Sequence, residues 1–130
     1  MRSMIYVSIK KEGKKMDKKL EIIVKALDDK KAKDIQVLKI TDLTSIGDYF
    51  VIAGGTSNTH VRSLAEEVEF KLEEAGIEIR GIEGRATGWI LLDCYDVLVH
   101  IFMPEVRDTY NLERLWGDAA PVDISNLISE

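Results

Sequence analysis

Two aspartates three residues apart, with the chain's single cysteine between them, make Asp93-Cys94-Tyr95-Asp96 the first place to look for chemistry. Carboxylates at that spacing can hold a magnesium ion for phosphoryl transfer. The same residues also suit a tight turn between two apolar strands, where Asp is common. Gly54-Gly55-Thr56-Ser57 offers a second possibility, because free backbone N–H groups at a helix start attract anions. It has neither the lysine of a phosphate-binding loop nor the glycine spacing of a dinucleotide fingerprint, and a tight turn followed by a helix cap explains the same residues. His60 and His100 lie far apart, one near a helix start and one inside a strand, and such a strand histidine is ordinarily a hydrogen-bonded structural group. Cys94 has no Lys, Arg or His beside it in sequence to lower its pKa, so it reads as a spectator. No catalytic set, metal site or cofactor cradle stands out.

The elements that must position these residues are legible from their spacing. Residues 1–15 read as an extension, with a short strand possible over Met1–Ile9 and Met16 a second possible start. Asp17 is placed to cap a helix running to about Lys31, with Leu20, Ile23, Val24 and Leu27 on one face. A strand follows over Asp34–Ile40, with Ile35, Val37 and Leu38 toward the core. Ser45–Asp48 is a turn, and Tyr49–Ala53 is an apolar run of the kind buried on both faces.

The next helix is the clearest. Ser57 or Asn58 caps it, Val61, Leu64, Ala65, Val68 and Leu72 recur at helical spacing, and Gly76 ends it in a left-handed conformation. Ile77–Glu83 reads as a strand. Trp89–Asp93 and Val97–Met103 read as two more, joined by a tight turn. Pro104 opens a last helix that Gly117 stops, and little periodicity follows it. The order αββαβββα predicts an α/β fold: a mixed β-sheet of about five strands with packed helices. The stretch from Tyr49 to Glu83 suggests a parallel pair joined by a right-handed crossover.

Composition narrows the function classes. A chain of 130 residues that is 45% hydrophobic and 32% charged, with two prolines, is one ordered domain rather than a disordered or repetitive segment. No apolar run is long enough to span a membrane, and the opening residues lack the apolar core of a secretory signal, so the expected location is the cytoplasm. One cysteine excludes an internal disulfide. Residues 1–40 carry twelve basic and six acidic side chains, a balance of +6, whereas residues 41–130 carry six and seventeen, a balance of −11. An acidic body disfavours nucleic acid as the main partner and suits a basic protein surface, although acids also simply keep a surface soluble.

The aromatic residues point the same way. Trp89 begins a strand after a glycine-containing loop, and Tyr110 and Trp116 stand at either end of the last helix. Trp and Tyr are favoured interface anchors, and nearby acids would form a polar rim. Trp116 beside Leu112 and Leu115 equally fits a core position.

Three ordered blocks then bring a family into view. The first is Ser45-Ile46-Gly47-Asp48-Tyr49-Phe50-Val51-Ile52-Ala53 with Gly55-Thr56-Ser57-Asn58. The second is Gly81-Ile82-Glu83-Gly84 with Trp89-Ile90-Leu91-Leu92-Asp93 and Asp96-Val97-Leu98-Val99-His100-Ile101-Phe102. The third is Pro104-Glu105-Val106-Arg107 with Tyr110-Asn111-Leu112-Glu113-Arg114-Leu115-Trp116-Gly117-Asp118-Ala119. Together they resemble the ribosomal silencing factors (RsfS, also called Iojap proteins), with a domain over residues 16–122 and a tail over 123–130.

The resemblance implies a nucleotidyltransferase-like fold without its catalytic residues, and no enzyme activity or cofactor. It implies binding of the free large ribosomal subunit through ribosomal protein L-fourteen, a block to subunit joining, and less translation when nutrients are scarce. It also implies a homodimer when free. On this basis the partner-binding residues are Trp89, Asp93 and Glu83, with Tyr110 and Leu115 in support. Family members usually carry Gly where this chain has Tyr95, which bears on the turn type and adds an aromatic ring to the contact surface. Two rival readings are a nucleotide-handling enzyme built on Gly54–Ser57 with Asp93 and Asp96, and RNA binding by the basic Lys10–Lys39 region.

Overall fold

In a computed structural model of the chain, residues 14–40, 48–84, 88–106, 120–125 and 127–128 are described. Helix α1 (Lys14–Asp29) begins before Asp17, so that residue lies inside the helix and does not cap it. It ends two residues earlier than expected because Lys31 turns back at φ 63°, donating its N–H to Asp28 O at 2.9 Å. Strand β1 (Lys33–Lys39) follows, with a register shift between Lys33 and Gln36 where Asp34 takes φ 49°. That extra residue is the signature of a β-bulge, which strengthens the local twist.

Strand β2 (Tyr49–Gly54) is buried at every position, as its unbroken apolar run predicts. Helix α2 (Asn58–Glu74) then starts on Ser57, whose hydroxyl accepts from His60 N, and buries Val61, Leu64, Ala65, Val68 and Leu72. Its exit satisfies two carbonyls left without partners inside the helix: Gly76 N–H donates to Glu73 O at 3.0 Å and Ile77 N–H to Leu72 O at 2.8 Å. Gly76 adopts φ 74° to do so, a conformation that glycine takes without a Cβ clash.

Only Gly81–Glu83 of the expected Ile77–Glu83 strand joins the sheet, as β3. Strands β4 (Trp89–Cys94) and β5 (Val97–Phe102) form the hairpin read from the sequence. A sixth strand, β6 (Ala120–Pro121), arises where the sequence has no periodicity, pairing with Leu38 and Lys39. Two residues are too short for any pattern, and a proline can sit there because the sheet ends at β6. Ile124 is buried, and Leu127 and Ile128 pack on the core.

The sheet order is β3-β4-β5-β2-β1-β6. This corrects the expected crossover pair. Strand β3 does run in the same direction as β2, but β4 and β5 lie between them, and the parallel pair is β2 with β5. Local patterning cannot report which strands become neighbours when later ones are inserted.

Successive residues of a strand point to opposite faces. One face, with Val37, Tyr49, Val51, Ala53, Ile90, Leu92, Val97, Val99 and Ile101, packs beneath α1 and α2. The other gathers Leu38, Ile40, Phe50, Ile52, Leu98 and Phe102, with Trp89, Leu91 and Val106 against them. Residues 104–106 are helical, in agreement with Pro104 opening a helix; the remainder of the expected helix, with Tyr110, Leu115 and Trp116, lies outside the described residues, as do residues 1–13. No described helix is long and apolar enough to cross a membrane.

Candidate partner-binding face

The hairpin turn sets the register of everything near Trp89. A two-residue turn at Tyr95-Asp96 pairs Cys94 with Val97, and so Leu91 with His100 and Trp89 with Phe102. Alternation then sends Ile90, Leu92 and Cys94 to the helix-covered face, where each is fully buried. Trp89, Leu91 and Asp93 go to the other face and are only partly buried. Strand β3 adds to the same side: Glu83 pairs with Leu91 and Gly81 with Asp93. Three of the residues singled out from the sequence, Trp89, Asp93 and Glu83, therefore share one face at one edge of the sheet. Tyr110 and Leu115 lie outside the described residues.

His100 organises the inner half of this face. Its Nδ1 accepts the indole N–H of Trp89 at 3.1 Å, which leaves the neutral ring's proton on Nε2. The ring meets Phe50 edge-on at 4.8 Å and lies parallel to Phe102 at 6.1 Å, and Trp89 in turn tilts over Phe102 at 5.0 Å. Nε2 is buried, with no hydrogen-bond partner among the described residues. Burial pushes the imidazole pKa down from 6.5 to about 4, so the ring is neutral at physiological pH. The expectation of a hydrogen-bonded structural histidine holds at one ring nitrogen only. The Trp89–His100 pairing follows from the two-residue turn, a signal present in the sequence but not followed there to its partner.

At the outer end, Asp93 is already engaged. Its Oδ2 accepts from Arg80 Nε at 3.1 Å and its Oδ1 from the Tyr95 N–H at 3.0 Å. The Arg80 guanidinium also lies 5.0 Å from the centre of the Tyr95 ring. Tyr95, the first central residue of the turn, has φ 71°, a backbone conformation that glycine adopts most easily. The turn geometry is thus a glycine's, held by a tyrosine.

The groups of the enzymatic reading are used elsewhere. Asp96 Oδ1 accepts from Lys19 Nζ at 2.6 Å, and the same ammonium bonds Cys94 O at 2.9 Å, tying α1 to the hairpin turn. Burial drives the Cys94 thiol up to about 12, with Lys19 opposing and Asp93 and Asp96 assisting, so no thiolate forms near neutrality.

At the β2–α2 junction, the Gly55 N–H is given to Phe102 O at 2.9 Å and the Thr56 N–H to His60 Nδ1 at 2.9 Å. His60 N–H goes to Ser57 Oγ at 3.1 Å and the Val61 N–H to Ser57 O at 2.9 Å. A Cβ on Gly55 would stand 2.7 Å from Val61 Cγ2, so glycine is there to let α2 approach the sheet. The junction is a cap and a close contact, and the N–H groups of Gly55, Thr56, His60 and Val61 are all given to acceptors within the protein.

Distance separates the two halves of that reading as well. Gly54 aligns with Phe102, whereas Tyr49 aligns with Val97, directly after Asp96. The glycine junction and the aspartate turn thus sit at opposite ends of β2 and β5, about 17 Å apart along the strands. Among the described residues, no group of three or more His, Cys, Asp and Glu is placed to hold a metal ion.

A family model described as "Ribosomal silencing factor during starvation" matches residues 13–130. The ribosomal silencing factor RsfS of Halalkalibacterium halodurans is 41% identical over 111 residues, which cover 85% of this chain and 95% of that one. A crystal structure of a protein from Chromobacterium violaceum is similar with a TM-score of 0.75 and 44% identity, over 77% of this chain and 84% of that one. At greater distance, the mouse protein named "Mitochondrial assembly of ribosomal large subunit protein 1" is 32% identical over 108 residues, 80% of this chain and 46% of its own length.

Proposed function

The chain belongs to the ribosomal silencing factor family, and on that premise we propose that it binds the free large ribosomal subunit through ribosomal protein L-fourteen. Occupying that surface blocks the small subunit from joining, and translation falls under nutrient limitation. The action is steric and cytoplasmic, with no bond made or broken. Its extent follows mass action, through the concentration of the protein relative to its dissociation constant.

The observation that carries this reading is the shared face of Trp89, Leu91, Asp93 and Glu83. A partly buried tryptophan, hydrogen-bonded at its indole N–H and backed by Phe102, is a pre-oriented anchor of the kind that dominates protein interfaces. The exposed Glu83, beside an Asp93 already paired with Arg80, gives the rim an acid that matches the −11 balance of residues 41–130 and suits a basic ribosomal protein. Tyr110 and Leu115 belong to the same surface by family resemblance, as does the homodimer expected of the free protein. The name of the mouse relative, which refers to the large subunit, supports the choice of subunit.

Co-sedimentation of the purified protein with separated subunits at moderate salt tests the proposal. The expected result is migration with the large subunit alone and fewer joined ribosomes when small subunits are added. Binding to neither subunit, or binding without any effect on joining, would refute it.

A further inference from the structure

Tyr95 is the one turn residue of the β4–β5 hairpin held in the left-handed region, at φ 71°. A bulky side chain there is strained, and burial does not offset the strain, since the residue is 42% exposed. Its surroundings nonetheless fix it. Asp93 Oδ1 accepts its N–H at 3.0 Å, and Asp93 Oδ2 also holds Arg80, whose guanidinium lies 5.0 Å from the ring centre. The result is an ordered, exposed aromatic ring with a cation on one side, standing where glycine would be easier.

We propose that Tyr95 is a second aromatic anchor of the docking face, so that the partner's footprint runs the whole length of β4 from Trp89 to the hairpin turn. The inference rests on the ribosomal reading above and extends it. Six residues of strand separate the two rings, about 20 Å. A standard interface covers about 800 Å² on each partner, a patch about 30 Å across, so one footprint takes in both rings. Arg80 already pairs with Asp93 between them, so the acid left to meet a partner is the exposed Glu83 beside them on β3. It belongs to the part of the chain whose balance is −11, and the occupant is a basic protein surface, the same one that meets Trp89. The strain at Tyr95 is kept because the ring is needed there, and the Arg80 stack lowers the entropy lost when a partner covers it.

The test uses the full chain with the substitutions Tyr95→Gly, Tyr95→Asn, Trp89→Ala and Phe70→Ala. Melting temperature and binding to free large subunits are measured in parallel. Gly and Asn both tolerate positive φ, so both Tyr95 variants should melt above wild type and yet bind about fivefold or more weakly. Phe70, the other exposed large apolar side chain among the described residues, sits on α2 in the helix layer; its variant should bind as wild type does.

Wild-type affinity in both Tyr95 variants, with Trp89→Ala weakened, would overturn this inference and leave the proposed function standing. Lower melting temperatures in both would remove the strain premise and the inference with it. A wild-type protein that ignores the large subunit would overturn both readings.

Discussion

On one side of β4, Ile90, Leu92 and Cys94 are fully buried beneath two helices; on the other, Trp89, Leu91 and Asp93 are only partly covered. The same contrast runs across β5. Val97, Val99 and Ile101 are aliphatic and face the helices, whereas Leu98, His100 and Phe102 make a layer that includes an imidazole with one nitrogen unpartnered among the described residues. One face is built for cohesion alone, with apolar side chains and almost no polar atom to satisfy. The other accepts a buried polar ring and a strained turn. The cohesive side and the proposed docking side are thus the two sides of a single sheet.

Four expected outcomes would break or sharpen that division. The largest concerns the cohesive face: Leu64→Ala should lower unfolding free energy by between about 2 and 5 kcal/mol in urea denaturation, because Leu64 is fully buried against the sheet. Subunit affinity of the molecules that remain folded should not change.

Next is pH. The folded pKa of His100 is depressed, so the unfolded chain takes up a proton below pH 6.5 while the native ring resists until about 4. Its stability contribution is full above pH 6.5 and is lost as pH falls from 6.5 to about 4, for a total of about 3 kcal/mol. His100→Asn, which keeps an acceptor for Trp89, should lack this part of the pH dependence. Equal slopes in the two proteins would show that the imidazole is better solvated than its burial implies.

Trp89→Ala comes third, weakening large-subunit binding by about 2 kcal/mol or more. An unchanged dissociation constant would remove Trp89 from the docking face. The smallest effect has the opposite sign: Tyr95→Gly should raise stability by about 1 kcal/mol, read as a higher denaturation midpoint, by releasing the left-handed strain.

Much of this could be read from spacing. The apolar stripe of α2, its Ser57 cap and its Gly76 exit are local features, and local rules placed them. The hairpin was legible for the same reason, and with it the side of the sheet that Trp89 and Asp93 share. What escaped depended on distant partners. Nothing near Ala120-Pro121 announces a strand, because β6 exists only by pairing with Leu38 and Lys39. Nothing in β2 or β3 reports that β4 and β5 will come between them. Arg80 reaches Asp93 and the Tyr95 ring only because β3 lies beside β4, so the ordered cluster at the turn had no sequence signature.

The central pairing of β2 with β5 also governs how the chain can fold. Tyr49 and Val97, like every pair along that ladder, are forty-eight residues apart in sequence. Closing a loop of that length costs chain entropy before any gain from the pairing, a cost that locally formed elements largely escape. Helix α2 and the hairpin form from near neighbours. During synthesis, a chain that has not yet delivered Phe102 has an outer ribbon of β1 and β2 and no sheet to carry Trp89. The face that carries Trp89 is complete only once the two halves of the molecule have met.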